Sequence, residues 1–253
     1  MESTGRLSIV ATPIGNMEDI TLRAIRVLKE VDYILCEDTR VTGKLLKQYE
    51  IGTKLKRYDA HASERIHEMI LNDLHEGNHI ALVSDAGTPG ISDPGVLLVT
   101  RARQAGARID TIPGASALTA AFSIAGIAGN NFTFLGFVPL KKGRQTFFKS
   151  LPEYDIPVMF YEAPHRIMKT LESLVAVLGG VTIPINGNSR ITAVDAQDTL
   201  EDISEIRHRV TIAREITKMH EEVVQGTPEE VLQYFIDHPD HVRGEFVVLI
   251  DTV

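Results

Sequence analysis

The sequence predicts an α/β protein built from two α/β domains. Short runs rich in valine and isoleucine recur along the chain, and stretches in which apolar residues follow a helical spacing separate them. Several of the runs are apolar throughout, which is typical of parallel strands that helices cover on both faces. The alternation of strand and helix therefore favours a mainly parallel sheet in at least the first half of the chain.

Eight strands are predicted, in chain order, at residues 7–12, 33–37, 80–84, 108–112, 132–137, 157–161, 210–213 and 246–250. Apolar residues with helical spacing predict helices at residues 22–31, 66–74 and 167–178. Gly77 follows the second of these helices, and Gly179 and Gly180 follow the third, as expected because glycine is a common helix stop.

A domain boundary is predicted near residues 113–130, where alanine, glycine and asparagine are concentrated. The two predicted domains are residues 1–115 and 116–253. Within the second domain, residues 181–206 contain five acids and one base, a net charge of −4 out of −8 for the whole chain. We expect this acidic segment to be an insertion, either a strand-and-loop excursion or a partly mobile flap.

Composition and charge exclude several classes of protein. Of 253 residues, 43% are hydrophobic and 24% are charged, as in ordinary globular proteins. The single cysteine, Cys36, cannot form an intramolecular disulfide, and it fits a cytoplasmic location. No apolar run approaches about 20 residues, so neither a membrane span nor a membrane partner is predicted. Because the net charge is −8, any contact with RNA is expected to come from a local basic patch.

Glycine, proline, aspartate and arginine collect after the predicted strands, where ligands bind in open α/β sheets. The richest segment is 85–95, with three glycines, two prolines and two aspartates. Glycine lets the backbone approach a ligand closely and proline stiffens the path. Two interpretations remain open for this segment: a ligand-binding loop that uses Asp85, or a rigid turn in which Asp85 and Asp93 cap local amides.

Several familiar catalytic motifs are missing from the sequence. The loop 13–16 has one glycine where a dinucleotide fingerprint needs three, so a nicotinamide oxidoreductase is disfavoured even though Glu37 lies where its acid would lie. Nucleophile-elbow, zinc-protease and Walker motifs are absent, and no metal site is predicted. Cys36 is expected to be a buried, inert thiol. The histidines are expected at the surface or at helix ends; they are His61, His67, His75 and His79.

One basic run stands out in the second half. Lys141, Lys142 and Arg144 are followed by Lys149, and no acid occurs from residue 135 through 152. The run fits either a solvated helix start whose aromatic neighbours face the core, or a surface that contacts phosphates.

Short motifs spread in order over nearly the whole chain resemble those of the ribosomal RNA small subunit methyltransferase I family, a branch of the tetrapyrrole-methylase-like superfamily. The motifs lie at 11–16, 19–21, 37–40, 83–89, 93–95, 113–114, 160–162, 165–166, 213–215, 217–218 and 244–245. The resemblance implies two α/β domains of tetrapyrrole-methylase type with the active cleft between them, and a cytoplasmic homodimer. It also implies S-adenosylmethionine-dependent 2′-O-methylation of a cytidine ribose in the decoding region of small-subunit (16S) rRNA, with the assembled subunit as substrate.

Two alternatives share this fold or its ligand. One is a small-molecule, tetrapyrrole-type methyltransferase, since fold alone does not choose the substrate. The other is a non-catalytic ribosome-assembly factor that binds the donor. The acidic segment 181–206 departs from the family pattern, and we expect it at the periphery because its charge would repel RNA.

The resemblance, together with position after strands, assigns roles to individual residues. Donor binding is assigned to Ile14, Asp85, Gly87, Thr88, Ile91, Ser116, Ala117 and Tyr161. Proton acceptance is assigned to Glu162, Glu215 or a Lys218 with lowered pKa, the alternative being that these carboxylates form structural ion pairs. A basic rim for RNA is assigned to Arg40, Lys141, Lys142, Arg144 and Arg166. Lys218, like Arg40 and Arg166, is also a candidate to hold a phosphate.

Overall fold

The computed structural model of the protein describes residues 5–179 and 208–252, and the acidic segment 181–206 lies outside these ranges. The contacts within the chain divide it into two units after Ala117. No helix in the described ranges is both long and apolar enough to cross a membrane.

The first unit holds a five-stranded, fully parallel sheet in the order β3-β2-β4-β1-β5. Its elements are β1 (Arg6–Val10), α1 (Leu22–Glu30), β2 (Tyr33–Cys36), α2 (Thr39–Gln48), β3 (Leu55–Arg57), α3 (Glu64–His75), β4 (His79–Leu82), α4 (Gly95–Gln104) and β5 (Arg108–Ile112). The mainly parallel sheet predicted for the first half of the chain is confirmed.

Helices cover both faces of this sheet. Helices α1 and α2 pack on one face, where Val27 and Leu45 meet Val10 and Ile34. Helices α3 and α4 pack on the other face. The central strand β2 is apolar throughout because both of its faces are buried, and β4 and β1 beside it are mostly apolar.

The chain reverses its direction of travel between β1 and β4, which are neighbours in the sheet. From β1 it crosses toward β2, and from β4 it crosses toward β5 on the opposite side. The carboxyl ends of two such strands form a topological switch point, the usual ligand crevice of an open α/β sheet. The loops after β1 and β4 both emerge there.

The second unit holds a mixed five-stranded sheet in the order β6-β7-β10-β8-β9. Its elements are α5 (Ala117–Ile124), β6 (Thr133–Phe137), α6 (Arg144–Ser150), β7 (Val158–Glu162), α7 (Ile167–Leu178), β8 (His208–Arg214), β9 (Glu222–Gly226), α8 (Pro228–Asp237) and β10 (Phe246–Thr252). Strands β6 and β7 are parallel, and the remaining pairs are antiparallel. Helices α6, α7 and α8 bury their apolar faces against this sheet.

The eight predicted strands and three predicted helices are confirmed to within two residues at their ends. Strands β3 and β9 were not predicted, because β3 is only the three residues Leu-Lys-Arg and β9 has only two consecutive apolar residues. Cys36 is buried as expected, and burial raises the pKa of its thiol. His67 lies in the first turn of α3, as expected of a helix-end residue, but it is not at the surface: it is 3% exposed, and its Nε2 lies 3.1 Å from the Tyr58 hydroxyl.

Candidate active site

Two loops of the first unit are joined across the switch point. The Thr12 amide donates to the Gly87 carbonyl at 2.9 Å, and the Gly87 amide donates to the Thr12 carbonyl at 3.1 Å. The Thr12 hydroxyl also donates to the Ser84 carbonyl at 3.1 Å. The loops after β1 and β4 therefore hold each other in one shape.

Gly87 lies at the centre of this turn with a φ of +78°, where an L side chain is strained. A Cβ atom there would lie 3.3 Å from Cγ2 of Ile14, which is itself 8% exposed. The Thr88 hydroxyl donates to the Ala115 carbonyl at 3.2 Å and so ties in the loop after β5. Three residues predicted to bind the donor, Ile14, Gly87 and Thr88, are thus packed together.

The two aspartates of segment 85–95 have different partners. Asp93 accepts hydrogen bonds from the Gly90 amide at 2.7 Å and from the Gly95 amide at 2.8 Å, so it caps its own turn. Asp85 is exposed, and its Oδ1 accepts the Asp38 amide at 3.1 Å. Asp85 therefore links the loop after β4 to the loop after β2.

Glu37 is a candidate proton acceptor that was not predicted from the sequence. It directly follows β2 and is partly buried beside segment 85–95. Burial raises its pKa, and the negative charges of Asp85 and Asp93 raise it further. A carboxylate with a raised pKa at a strand end is well suited to accept a proton. The sequence predicts the position of Glu37 after β2, but it does not reveal the neighbouring charges that raise the pKa of Glu37.

Arg40 extends from the same edge into solvent. Its side chain is 88% exposed, and its Nη2 lies 2.6 Å from Oδ2 of Asp38. The hydrogen bonds from Arg40 lower the pKa of Asp38, which also caps α2 by accepting the Arg40 amide at 2.8 Å. The guanidinium is thus oriented by its neighbour and still accessible.

The other predicted donor-binding residues are more scattered. Ile91 is 47% exposed in segment 85–95. Ser116 and Ala117 follow β5 and lead into α5. Tyr161 belongs to β7 of the second unit, where burial raises the pKa of its phenol.

Glu162, at the end of β7, has a side chain with 0% exposure. Arg144 Nη1 lies 3.3 Å from its Oε2, and Arg166 Nε lies 3.2 Å from its Oε1. The Thr170 hydroxyl donates to Oε2 at 2.5 Å, and the Ala163 amide donates to Oε1 at 2.8 Å. This saturated carboxylate fits the structural ion-pair alternative better than a proton acceptor.

The predicted basic rim divides into two groups. The side chains of Arg144 and Arg166 are 19% and 13% exposed and turn inward onto Glu162. Lys141 and Lys142 are exposed on the segment that leads into α6. In the second unit, the two lysines therefore face solvent while the two arginines support the structure beneath them.

A second charged group forms where the end of β8 meets the start of β10. Lys218 Nζ lies 2.8 Å from Oε1 of Glu215 and 2.9 Å from Oε2 of Glu245. The Glu245 amide donates to Oε1 of Glu215 at 2.9 Å. Glu215 and Thr217 have positive φ angles of 49° and 68°, a strained conformation that is enriched at functional sites.

The electrostatics of this group correct one expectation. Burial lowers the pKa of Lys218, but hydrogen bonds with Glu215 and Glu245 outweigh it and raise the pKa overall. Burial likewise raises the pKa of Glu215, and the Lys218 hydrogen bond outweighs it and lowers the pKa. The predicted lowered pKa of Lys218 is wrong. Two carboxylates keep this ammonium charged, so it is not suited to accept a proton.

Comparison with known proteins identifies the family. A family profile described as Tetrapyrrole (Corrin/Porphyrin) Methylases matches residues 6–232. The chain is 40% identical over 251 residues to the ribosomal RNA small subunit methyltransferase I of Halalkalibacterium halodurans, a match that covers 99% of this chain and 77% of that protein. The chain belongs to the ribosomal RNA small subunit methyltransferase I family. The Thermotoga maritima member is 39% identical over 231 residues, or 91% of this chain and 92% of that protein.

The fold of this family member also occurs in more distant solved structures. A crystal structure of diphthine synthase aligns with this chain at a TM-score of 0.65 and 14% sequence identity. The alignment covers 97% of this chain and 89% of the diphthine synthase chain. At that identity the likeness shows the shared tetrapyrrole-methylase fold alone, which confirms the fold class expected from the motifs.

For a member of the ribosomal RNA small subunit methyltransferase I family, the motif residues of the first unit lie in the loops after β1, β2, β4 and β5, and those of the second unit lie in the Glu162 cluster and the Lys218 group. Within residues 5–179 and 208–252, histidine, cysteine and acidic side chains form no group suited to hold a metal ion.

Proposed function

We propose that this chain transfers a methyl group from S-adenosylmethionine to the 2′-hydroxyl of a cytidine ribose in the decoding region of small-subunit (16S) rRNA. The observation that carries the proposal is the identity of about 40% that runs through both units to relatives named ribosomal RNA small subunit methyltransferase I. We further propose that it acts as a cytoplasmic homodimer on the assembled small subunit.

The switch point of the first sheet fits a small donor molecule. Gly87 keeps its turn free of a Cβ, so a ligand can approach the backbone of the turn at Thr88, while the Gly87 amide stays bonded to the Thr12 carbonyl. Ile14 supplies an apolar wall, and Asp85 supplies an exposed carboxylate for a hydroxyl or an amine. We assign donor binding to these residues together with Ile91, Ser116, Ala117 and Tyr161.

S-adenosylmethionine, when bound, supplies a methyl group on a positively charged sulfur. The residues of the chain orient the partners and exclude water, and good alignment contributes up to about 7–11 kcal/mol in well-oriented reactions. The 2′-hydroxyl is a poor nucleophile, so a positioned proton acceptor is expected to add about 10²- to 10⁴-fold.

We assign the proton acceptor to Glu37. Its raised pKa makes it a stronger base than an ordinary glutamate, whereas the pKa of Glu215 is lowered and that of Lys218 is raised. Glu37 also adjoins Asp85, which places it at the edge where the donor loops meet.

The cations are assigned to the RNA. Lys218 remains charged between Glu215 and Glu245 and would hold a phosphate near the target ribose. Arg40, Lys141 and Lys142 are exposed and would contact the backbone farther away. These local cations reconcile an RNA substrate with a chain whose net charge is −8.

A small-molecule methyltransferase is the second candidate, favoured by the description of the matching family profile as tetrapyrrole methylases. The two candidates differ in the acceptor that they methylate. Labelled S-adenosylmethionine would be incubated with small subunits, free small-subunit rRNA and tetrapyrrole precursors.

We expect label in rRNA from assembled subunits, recovered after nucleoside analysis as 2′-O-methylcytidine. Label in the tetrapyrrole alone would support the second candidate and overturn the proposal. Donor binding without label in any acceptor would point to the assembly-factor alternative and would also overturn it.

A further inference from the structure

We propose that Glu162 is a positioning residue that holds the segment 138–144 in the shape in which Lys141 and Lys142 contact rRNA. This inference rests on the proposed function for its substrate, but its structural half stands on contacts within the second unit. It differs from the expectation that Glu162 accepts a proton.

The first step is that both oxygens of the Glu162 side chain are already engaged by neighbouring groups. Both of its oxygens accept hydrogen bonds, Oε2 from Thr170 and Oε1 from the Ala163 amide. Both also face a guanidinium, that of Arg144 or that of Arg166. A carboxyl group that is 0% exposed and surrounded in this way is held in one position.

The second step is that Arg144 and Arg166 link the Glu162 side chain to the segment 138–144. Arg166 Nη2 donates to the Val138 carbonyl at 2.6 Å and to the Pro139 carbonyl at 3.0 Å. Arg144 Nη2 donates to the Thr170 hydroxyl at 2.9 Å, and its guanidinium carbon lies 4.9 Å from the ring centre of Phe148. Arg166 thus fastens the start of the segment, and Arg144 fastens its end.

The third step is that the part of the loop between these two points is exposed and is held locally by two backbone hydrogen bonds, from the Arg144 amide to the Lys141 carbonyl at 3.3 Å and from the Phe147 amide to the Gly143 carbonyl at 2.8 Å. Leu140 is 76% exposed, Lys141 and Lys142 are exposed, and Gly143 has a φ of +87° with no atom within 4 Å of where a Cβ would lie. An exposed segment of this kind samples many shapes unless its ends are held. With both ends held through Glu162, the two ammonium groups are pre-ordered, which lowers the entropic cost of binding RNA.

The charge of the segment indicates what it meets. From residue 135 through 152 the chain has four lysines and arginines and no acid, in a protein of net charge −8. Such a local excess of positive charge attracts a polyanion, and a phosphate backbone is the partner that fits it.

The test compares the wild-type enzyme with Glu162→Gln, which keeps the shape and removes the charge. The matched control is Asp251→Asn, which breaks another ion pair of the same unit, Arg209–Asp251, far from the loop in the chain. Should Glu162→Gln fail to fold, Thr170→Val removes a hydroxyl that serves Glu162 and Arg144 without unpairing a charge.

Two readouts are measured, limited trypsin cleavage after Lys141 and Lys142, and steady-state methylation of small subunits. Glu162→Gln is expected to speed cleavage at these two lysines and to raise KM for the subunit about 10-fold, the size of one lost charge-assisted contact. We expect kcat and its pH profile to keep the wild-type form. Asp251→Asn is expected to lower the melting temperature without either change.

The same substitution is then made in a Lys141→Ala, Lys142→Ala background. If Glu162 acts through the lysines, it has little further effect on KM there, because the groups that it positions are gone. A fall in kcat with a shifted pH profile would identify a proton acceptor and overturn the inference, as would unchanged trypsin cleavage or fully additive KM effects. Absence of methylation by the wild-type enzyme would refute the proposed function instead, while the trypsin result would still decide whether Glu162 holds the loop.

Discussion

Gly244 lies against the side chain of Glu215 so closely that a Cβ on Gly244 would be 2.4 Å from the Glu215 Cδ atom. Its φ of +93° adds backbone strain for any other residue. The glycine thus makes room for the carboxylate that holds Lys218 at 2.8 Å. The position of Lys218 after β8 therefore depends on the glycine that precedes β10.

Gly244→Ala is expected to displace Glu215 and to lower methyl transfer to small subunits. Glu215→Gln and Lys218→Ala should each lower kcat/KM by about 10- to 100-fold, because a hydrogen bond to a charged group contributes about 1.5–3 kcal/mol. Gly106→Ala is the control, since Gly106 has a φ of +77° but no atom within 4 Å of the added Cβ. Wild-type rates in both Glu215→Gln and Lys218→Ala would show that Glu215 and Lys218 are not part of the active site.

Gly87→Ala is expected to weaken the binding of S-adenosylmethionine. The new methyl group would press on Ile14 at 3.3 Å and distort the turn that Thr12 and Gly87 share. Isothermal titration calorimetry compares the donor affinity of Gly87→Ala with that of Gly106→Ala. Both variants carry backbone strain from a positive φ, so a difference between them reports the contact with Ile14. Equal donor affinity in the two variants would argue against a donor site at this turn.

Neutralising Lys141 and Lys142 together is expected to weaken binding to small subunits and to reduce its dependence on salt. Each lost phosphate contact lowers the slope of log K against log salt by roughly 0.7–0.9, so the pair should lower it by roughly 1.4–1.8. Neutralising the exposed Lys29 and Lys54 of the first unit is the matched control. An unaltered slope in the Lys141, Lys142 variant would exclude these lysines from the RNA surface.

Glu37→Gln is expected to lower kcat while raising stability at pH 7. Burial and the charges of Asp85 and Asp93 raise the pKa of Glu37, so folding favours its protonated form. Its contribution to stability is therefore present below the unfolded pKa of about 4.3 and is lost as the pH rises through the higher folded pKa. Removing the charge should thus stabilise the protein at pH 7, and the gain should disappear near pH 4.

Thermal unfolding and kcat, each measured against pH, test both halves of this prediction. Gln keeps the size of the side chain, so a large loss of stability would indicate a structural role. Glu50→Gln, on an exposed residue of the same unit, serves as control. Full activity of Glu37→Gln would return the question of the proton acceptor to other groups.

Much of the fold could be predicted because its signals are local. An apolar run such as 33–37 or a helical spacing such as 167–178 reflects burial along one element, and neighbouring residues are enough to reveal it. The strand-end rule then predicted that segment 85–95 follows a strand of the parallel sheet, as it does after β4. Strands β3 and β9 were not predicted because each offers too short an apolar run, one leucine in β3 and two valines in β9.

The roles of the charged residues depended on contacts that no local pattern encodes. Arg144 and Arg166 resembled a phosphate rim in sequence, yet they turn inward because Glu162 is buried between them. Lys218 stays charged because Glu245, 27 positions away, adds a second carboxylate. Residue type and spacing therefore established the parallel sheet of the first unit, the strand-end loops and the family motifs. The protonation and direction of the side chains followed from folding, because desolvation and ion pairing are set by whichever distant groups the packed chain brings within a few ångströms.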